Sequence, residues 1–178
     1  MAFTASAIFT QTMLNPMLEA LSGGSLALPT GWVTTTGITS NTFKAALYNN
    51  SGTPLNTDTL AHIAYNGSGG PWVVANEVTG TGWSAGGVAL GTLTYGIDGT
   101  ATNALAFHAA NTTASGVTVT GTFGCLVYCT SISGGTGVAN QGFCYNYFGG
   151  TQSVTGGTFT INWFTTGYSG PTVFSVTT

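Results

Sequence analysis

The sequence predicts a mainly β protein, an antiparallel β-sandwich of jelly-roll-like form with one N-terminal α-helix and arm. Three observations predict it. Short runs rich in Thr, Val and aromatic residues recur from residue 42 to the C-terminus, divided by clusters of Gly, Asn and Ser. No helical pattern alternates with those runs, so a parallel sheet with crossover helices is not expected. A chain of 178 residues, 43% of them hydrophobic, can bury one core without disulfide or metal staples. Its 28 glycines lack the three-residue spacing of collagen, and no longer period repeats.

The elements follow in chain order. Residues 5 to 21 carry the helical signal, because Ile8, Phe9, Met13, Met17, Leu18 and Leu21 recur at spacings of three and four. Thr4 or Ser6 is placed to cap the start, Pro16 should kink or split the helix, and Gly23 and Gly24 should end it. Residues 22 to 41, around Leu26, Leu28 and Trp32, read as an extended arm. The expected division is therefore an N-terminal helix and arm at 1–41 and a β-sandwich domain at 42–178.

The first strand is expected at 42 to 48, where Phe43, Ala45 and Leu47 alternate with Lys44, Ala46 and Tyr48. Residues 49 to 52 and 66 to 71 are turn chemistry, with a short helix or loop at 58 to 65. Further strands are expected at 72–78, 88–95, 104–108, 117–130, 137–147, 157–164 and 172–177. The glycine-rich stretches 80–87, 133–137 and 149–157 lack the Lys-Ser/Thr ending of a phosphate loop and read as hairpin turns.

Charged residues make up only 3% of the chain, where about 25% is usual. The acids are Glu19, Asp58, Glu77 and Asp98, and the single base is Lys44. Exposed surface must then be built from Thr, Ser, Asn, Gln and Gly. One basic residue and a net charge of -3 exclude phosphate-driven nucleic-acid binding. A mean hydropathy of +0.31 and 12% aromatics exclude disorder. No apolar run approaches the ~20 residues that span a bilayer, and the N-terminus lacks the basic start of a secretory signal, so synthesis in a cytoplasm is expected. The N-x-Ser/Thr matches at Asn49, Asn66 and Asn111 carry little weight in so polar a chain. A surface nearly free of charge points to a protein that lives in a permanent assembly.

Candidate chemistry is sparse. Asp58, Glu77 and Asp98 each stand alone in sequence and read as solvated turn or strand residues, not as a catalytic pair. His62 and His108 have no nucleophile motif beside them, and no Gly-x-Ser-x-Gly elbow occurs. Enzymatic activity is not expected, nor is any cofactor or metal. Cys125 and Cys129 are too far apart along one strand to bridge, whereas Cys144 either pairs with one of them or all three are buried thiols. Glu77, a charge inside an expected strand, either pairs with Lys44 as a structural ion pair or guards an exposed edge. Trp72, Trp83, Trp163, Tyr145, Tyr147 and Phe148 either pack the core and interfaces or line a sugar-binding face.

The runs Thr42-Phe43-Lys44-Ala45-Ala46-Leu47-Tyr48, Ala75-Asn76-Glu77-Val78 and Gly80-Thr81-Gly82-Trp83-Ser84-Ala85-Gly86-Gly87 occur in an order and spacing worth noting together. With Gly142-Phe143-Cys144-Tyr145-Asn146-Tyr147-Phe148-Gly149-Gly150 and Gly157-Thr158-Phe159-Thr160-Ile161, they span most of the chain. This pattern resembles small structural proteins of tailed double-stranded DNA bacteriophages, especially those infecting actinobacteria. The resemblance implies a virion part without catalytic residues. It most readily implies a capsid decoration or minor capsid protein on the exterior of the head, partnered by the major capsid protein and by copies of itself, of which a trimer suits local threefold positions. Phe3, Ile8, Phe9, Met13, Met17 and Trp32 are the expected contacts to the capsid or to sister subunits. A tail or fibre-associated protein and a carbohydrate-binding module on the virion surface are the competing readings.

Overall fold

The computed structural model describes residues 3–11, 42–101, 104–132 and 138–177. Among them are eight strands: β1 (Ala7–Ile8), β2 (Phe43–Tyr48), β3 (Val88–Ala89), β4 (Thr94–Ile97), β5 (Ala104–His108), β6 (Thr112–Cys129), β7 (Gly142–Ile161) and β8 (Thr172–Thr177). They form two antiparallel sheets, one of five strands in the order β1-β7-β6-β2-β3 and one of three in the order β4-β5-β8. The mainly β, antiparallel sandwich is as the sequence predicts.

The alternation in β2 is the organising feature. Phe43, Ala45 and Leu47 point to one face of the large sheet, where they meet Cys125, Val127, Cys129 and Phe143 and, from the small sheet, Phe107, Phe174 and Val173. Phe43 lies 4.9 Å from Phe107 and 4.8 Å from Phe143, ring centre to ring centre. Ala46 and Tyr48 point to the opposite face, into a second core of Phe3, Phe9, Ile63, Trp72, Leu126, Tyr128 and Tyr145. Both faces of β2 are therefore covered, so its residues are buried almost without interruption. The cover on the second face is the N-terminal segment together with residues 60–72, including the short helix α1 (Leu60–Ile63).

Several expectations are corrected. The helix expected from residue 5 is not formed at its start: Ala7–Ile8 is a strand paired with Tyr145 and Cys144, and Phe9 donates its N–H to Phe143 O. Ala7 and Phe9 pack on one face and Ile8 on the other, a period of two that tertiary pairing imposes over the helical spacing. Only Thr10 and Gln11 have helical backbone, and residues 12 to 21 lie outside the described residues. The strand expected at 72–78 is a buried Trp72 followed by a single 3-10 turn at Val74–Asn76, with one bridge from Glu77 to Tyr48. The 88–95 run divides between β3 and β4, which belong to different sheets.

The 149–157 stretch is not a hairpin turn but the middle of β7, a 20-residue strand paired along the 18 residues of β6. Glycines explain how a turn-like sequence stays in a strand. Gly149 and Gly156 (φ 78 and 64) and, across the ladder, Gly116 and Gly121 (φ 66 and 77) have left-handed backbone where the register shifts. These are bulges, and they twist the ribbon without ending it.

Candidate functional site

Three constellations gather the chemistry-bearing residues. The first surrounds Glu77. Its Oε2 accepts from Tyr65 Oη at 2.9 Å and its Oε1 from the Gly86 N–H at 2.7 Å. Tyr128 Oη donates to Gly86 O at 2.7 Å, and the Tyr65 and Tyr128 rings are stacked 4.7 Å apart. Burial raises the Glu77 pKa, partly offset by the two hydrogen bonds, while burial and the adjoining carboxylate push Tyr65 up to about 12. The expected Lys44–Glu77 ion pair does not form. Glu77 sits across from Tyr48 at one end of β2, and Lys44 is opposite Tyr128 near the other, roughly 13 Å away at about 3.3 Å per residue. The carboxylate clamps the 84–87 turn instead. That turn admits only glycine at 87, where φ is +73 and a Cβ would meet Ala45 O at 1.9 Å.

The second constellation joins β4, β5 and β8. Asp98, expected as a solvated turn residue, has a fully buried side chain. Its Oδ1 accepts the N–H groups of Thr100 and Ala101, each at 2.7 Å, and its Oδ2 accepts Ser169 Oγ at 2.7 Å and faces His108 Nε2 at 3.1 Å. These bonds, the Ala101 N–H foremost, hold its carboxyl well below the ordinary range. His108 Nδ1 lies 3.0 Å from Thr172 Oγ1. The order is carboxylate, imidazole, hydroxyl, as in a hydrolase relay. The hydroxyl, however, donates to Gly170 O at 3.0 Å, and Thr172 is only 2% exposed, so it is not presented to a substrate. The network fastens the 165–171 loop to the small sheet. A similar contact of 2.7 Å joins Asp58 and His62 across α1.

The third is a groove of about 510 Å³ where the outer edge of β7 approaches β8. Tyr147, Phe148, Phe159 and Phe164 supply rings, and Asn146, Gln152 and Asn162 supply amides. A second hollow of about 330 Å³, sharing Ser6, Asn146 and Val173, extends it towards β1. Among the described residues no Asp, Glu, Lys or His lines either, and the groove offers ring faces and neutral hydrogen-bonding groups. Phe164 is 57% exposed, whereas Trp163 is a buried wall whose Nε1 donates to Ala110 O at 3.0 Å.

Of the expected interface residues, Phe3 and Phe9 are committed to this chain's own core, 2% and 0% exposed. Phe3 meets Trp72 and Tyr145 edge-on, and Phe9 meets Trp72 likewise. Ile8 is half-buried in β1, and Met13, Met17 and Trp32 lie outside the described residues. Of the aromatics weighed for a sugar face, Trp72, Trp83 and Tyr145 are core, and Tyr147, Phe148 and Trp163 reach the groove. Phe159, Phe164 and the three amides escaped the sequence reading, since no local pattern links residues from 146 to 164. The three cysteines are free and buried; Cys144 stands opposite Val127 and diagonal to Cys125, a register shift after Val127 sets Cys129 against Gln141 instead, and burial pushes Cys125 up to about 12. Among the described residues no cluster of His, Cys, Asp and Glu has the makings of a metal site, and no helix is long and apolar enough to cross a membrane. No protein-family model, curated protein or solved structure matches the chain.

Proposed function

We propose that this chain is a virion structural protein, bound in many copies to the exterior of a bacteriophage head as a capsid decoration protein that stabilises the lattice. The observation that carries the reading is the fate of its charges. Each described carboxylate is spent on an internal contact: Asp58 on His62, Glu77 on Tyr65 and Gly86, Asp98 on Ser169 and His108. Apart from Lys44, what the described residues leave outside is neutral polar surface, such as the Thr, Ser and Gln faces of β6 and β7, with a few apolar side chains. Contacts made by such a surface lose little when salt rises, which suits a clamp on a particle released into variable media. Binding only to the assembled lattice stabilises that state by mass action.

The test is the copy number of the chain relative to the major capsid protein, by quantitative mass spectrometry of virions and of tailless heads. A high ratio retained in tailless heads is expected. A low ratio lost with the tail would overturn the reading in favour of a tail or fibre-associated protein, and capsid binding that weakens steeply in high salt would count against the neutral-clamp mechanism.

The uncharged groove supports a second reading, recognition of a neutral oligosaccharide by ring stacking and amide hydrogen bonds. Calorimetric titration of neutral hexasaccharides against the isolated chain tests it. Heats that disappear in Phe164→Ala are expected on this reading, and their absence in the unsubstituted chain would remove it.

A further inference from the structure

We infer that the outer edge of β4 is a self-pairing surface, through which two copies of this chain join their three-stranded sheets into one antiparallel sheet of six about a twofold axis at Gly96. The inference is independent of any role on a virion.

The register of the small sheet shows which backbone groups are free. The Asp98 N–H bonds to Ala104 O, which makes Asp98 and Ala104 a hydrogen-bonded pair. In an antiparallel ladder such pairs alternate, so Gly96 with Ala106 and Thr94 with His108 also turn their N–H and C=O groups towards β5. Tyr95 and Ile97 then turn theirs the other way, to the edge, where β4 is the terminal strand and no described residue pairs with it.

That edge is complementary to itself. With Gly96 facing Gly96 of a second copy, Tyr95 faces Ile97 and Ile97 faces Tyr95, and both become hydrogen-bonded pairs. Four N–H···O bonds form and no outward group of the two residues is left over. The side chains agree with the backbone. Tyr95, Ile97 and, from β5, Leu105 share one face and are 43%, 85% and 39% exposed. Pairing sets each Tyr95 against an Ile97, an aromatic with a β-branched residue, which is a favourable cross-strand combination. At the axis Gly96 has nothing within 4 Å of where a Cβ would stand.

Edges that must stay single are commonly guarded by charge, proline or a bulge, and Thr94–Ile97 has none of these. The nearest charge, Asp98, is turned inward and fully hydrogen-bonded. Because the same edge is used by both copies, the contact closes at two and does not propagate.

The experiment is sedimentation velocity on the full chain over a dilution series, beside disulfide trapping with Gly96→Cys. A non-hydrogen-bonded pair on the axis has the Cα separation a disulfide needs, and the native cysteines are buried, so mild oxidation should link two Gly96→Cys chains. Thr155→Cys, on the exposed face of β7, should stay unlinked. Ile97→Lys should weaken the dimer by at least about tenfold and, combined with Gly96→Cys, abolish the crosslink, with an unchanged circular dichroism spectrum. A chain that sediments as a monomer throughout, a trimer, or a dimer indifferent to Ile97→Lys would each overturn the inference.

Discussion

At Glu77, burial and hydrogen bonding oppose each other, and burial prevails. Its pKa lies above the ordinary 4.5, so the folded state holds the proton more tightly than the unfolded chain does. That contribution to stability is fully present below the ordinary value and is lost as pH rises through the raised one. Glu77→Gln keeps an acceptor for the Gly86 N–H and removes the charge, so its unfolding free energy should vary less than the parent's between about pH 4 and 7 in urea titrations. Glu77→Ala leaves the Gly86 N–H and Tyr65 Oη without their acceptor and should cost about 1–3 kcal/mol. Asp98 has the opposite sign. Its pKa is depressed below 3.8, so its stabilisation is present above that value and fades as pH falls through the folded one. Asp98→Asn should lower the melting temperature at neutral pH and flatten the acid limb of the stability profile below about pH 4.

The turn after Trp83 is legible in the sequence as a turn but not in what it packs against, and residues 3–11 are not legible as a cover of the large sheet. Gly87→Ala places a methyl against the backbone of β2 at a positive φ, so it should cost more than about 1 kcal/mol in chemical unfolding. Gly91→Ala meets nothing within 4 Å and has no left-handed φ, so it should stabilise by about 0.4–1 kcal/mol. The pair of variants separates close packing from glycine content alone. The N-terminal segment is an integral cover of the large sheet, so Phe9→Ala should cost about 3–5 kcal/mol, and removal of residues 3–11 should expose Trp72 and Tyr145 and red-shift the tryptophan emission. A segment serving only as an external arm would leave both measurements unchanged.

Among the described residues, cohesion comes from two apolar cores on either side of one sheet, and the three carboxylates, unlike Lys44, are held in short contacts within the chain. Ions screen exposed charges and barely affect buried pairs or apolar contact. The thermal midpoint at pH 7 should therefore shift by no more than about 2 °C between low and physiological NaCl, a range in which an exposed ion-pair network would respond measurably.

Local information alone determined the β class, the alternation in β2, the neutrality of the surface and the tight turn before β3. Each of these depends on residue type and spacing within a few positions: period two in Phe43 to Tyr48, glycines where left-handed backbone is needed, and a count of charges. Tertiary structure alone decided the rest. It drew Ala7 to Phe9 out of a helical spacing into a strand, because an open position beside β7 and two apolar faces outweighed weak local propensity. It fused two expected strands through a glycine-rich stretch, because a long partner strand held the bulges in register. It set Asp98 against His108 and Ser169, 71 residues away, and kept Lys44 from Glu77, because burial and register act between positions that no local pattern relates.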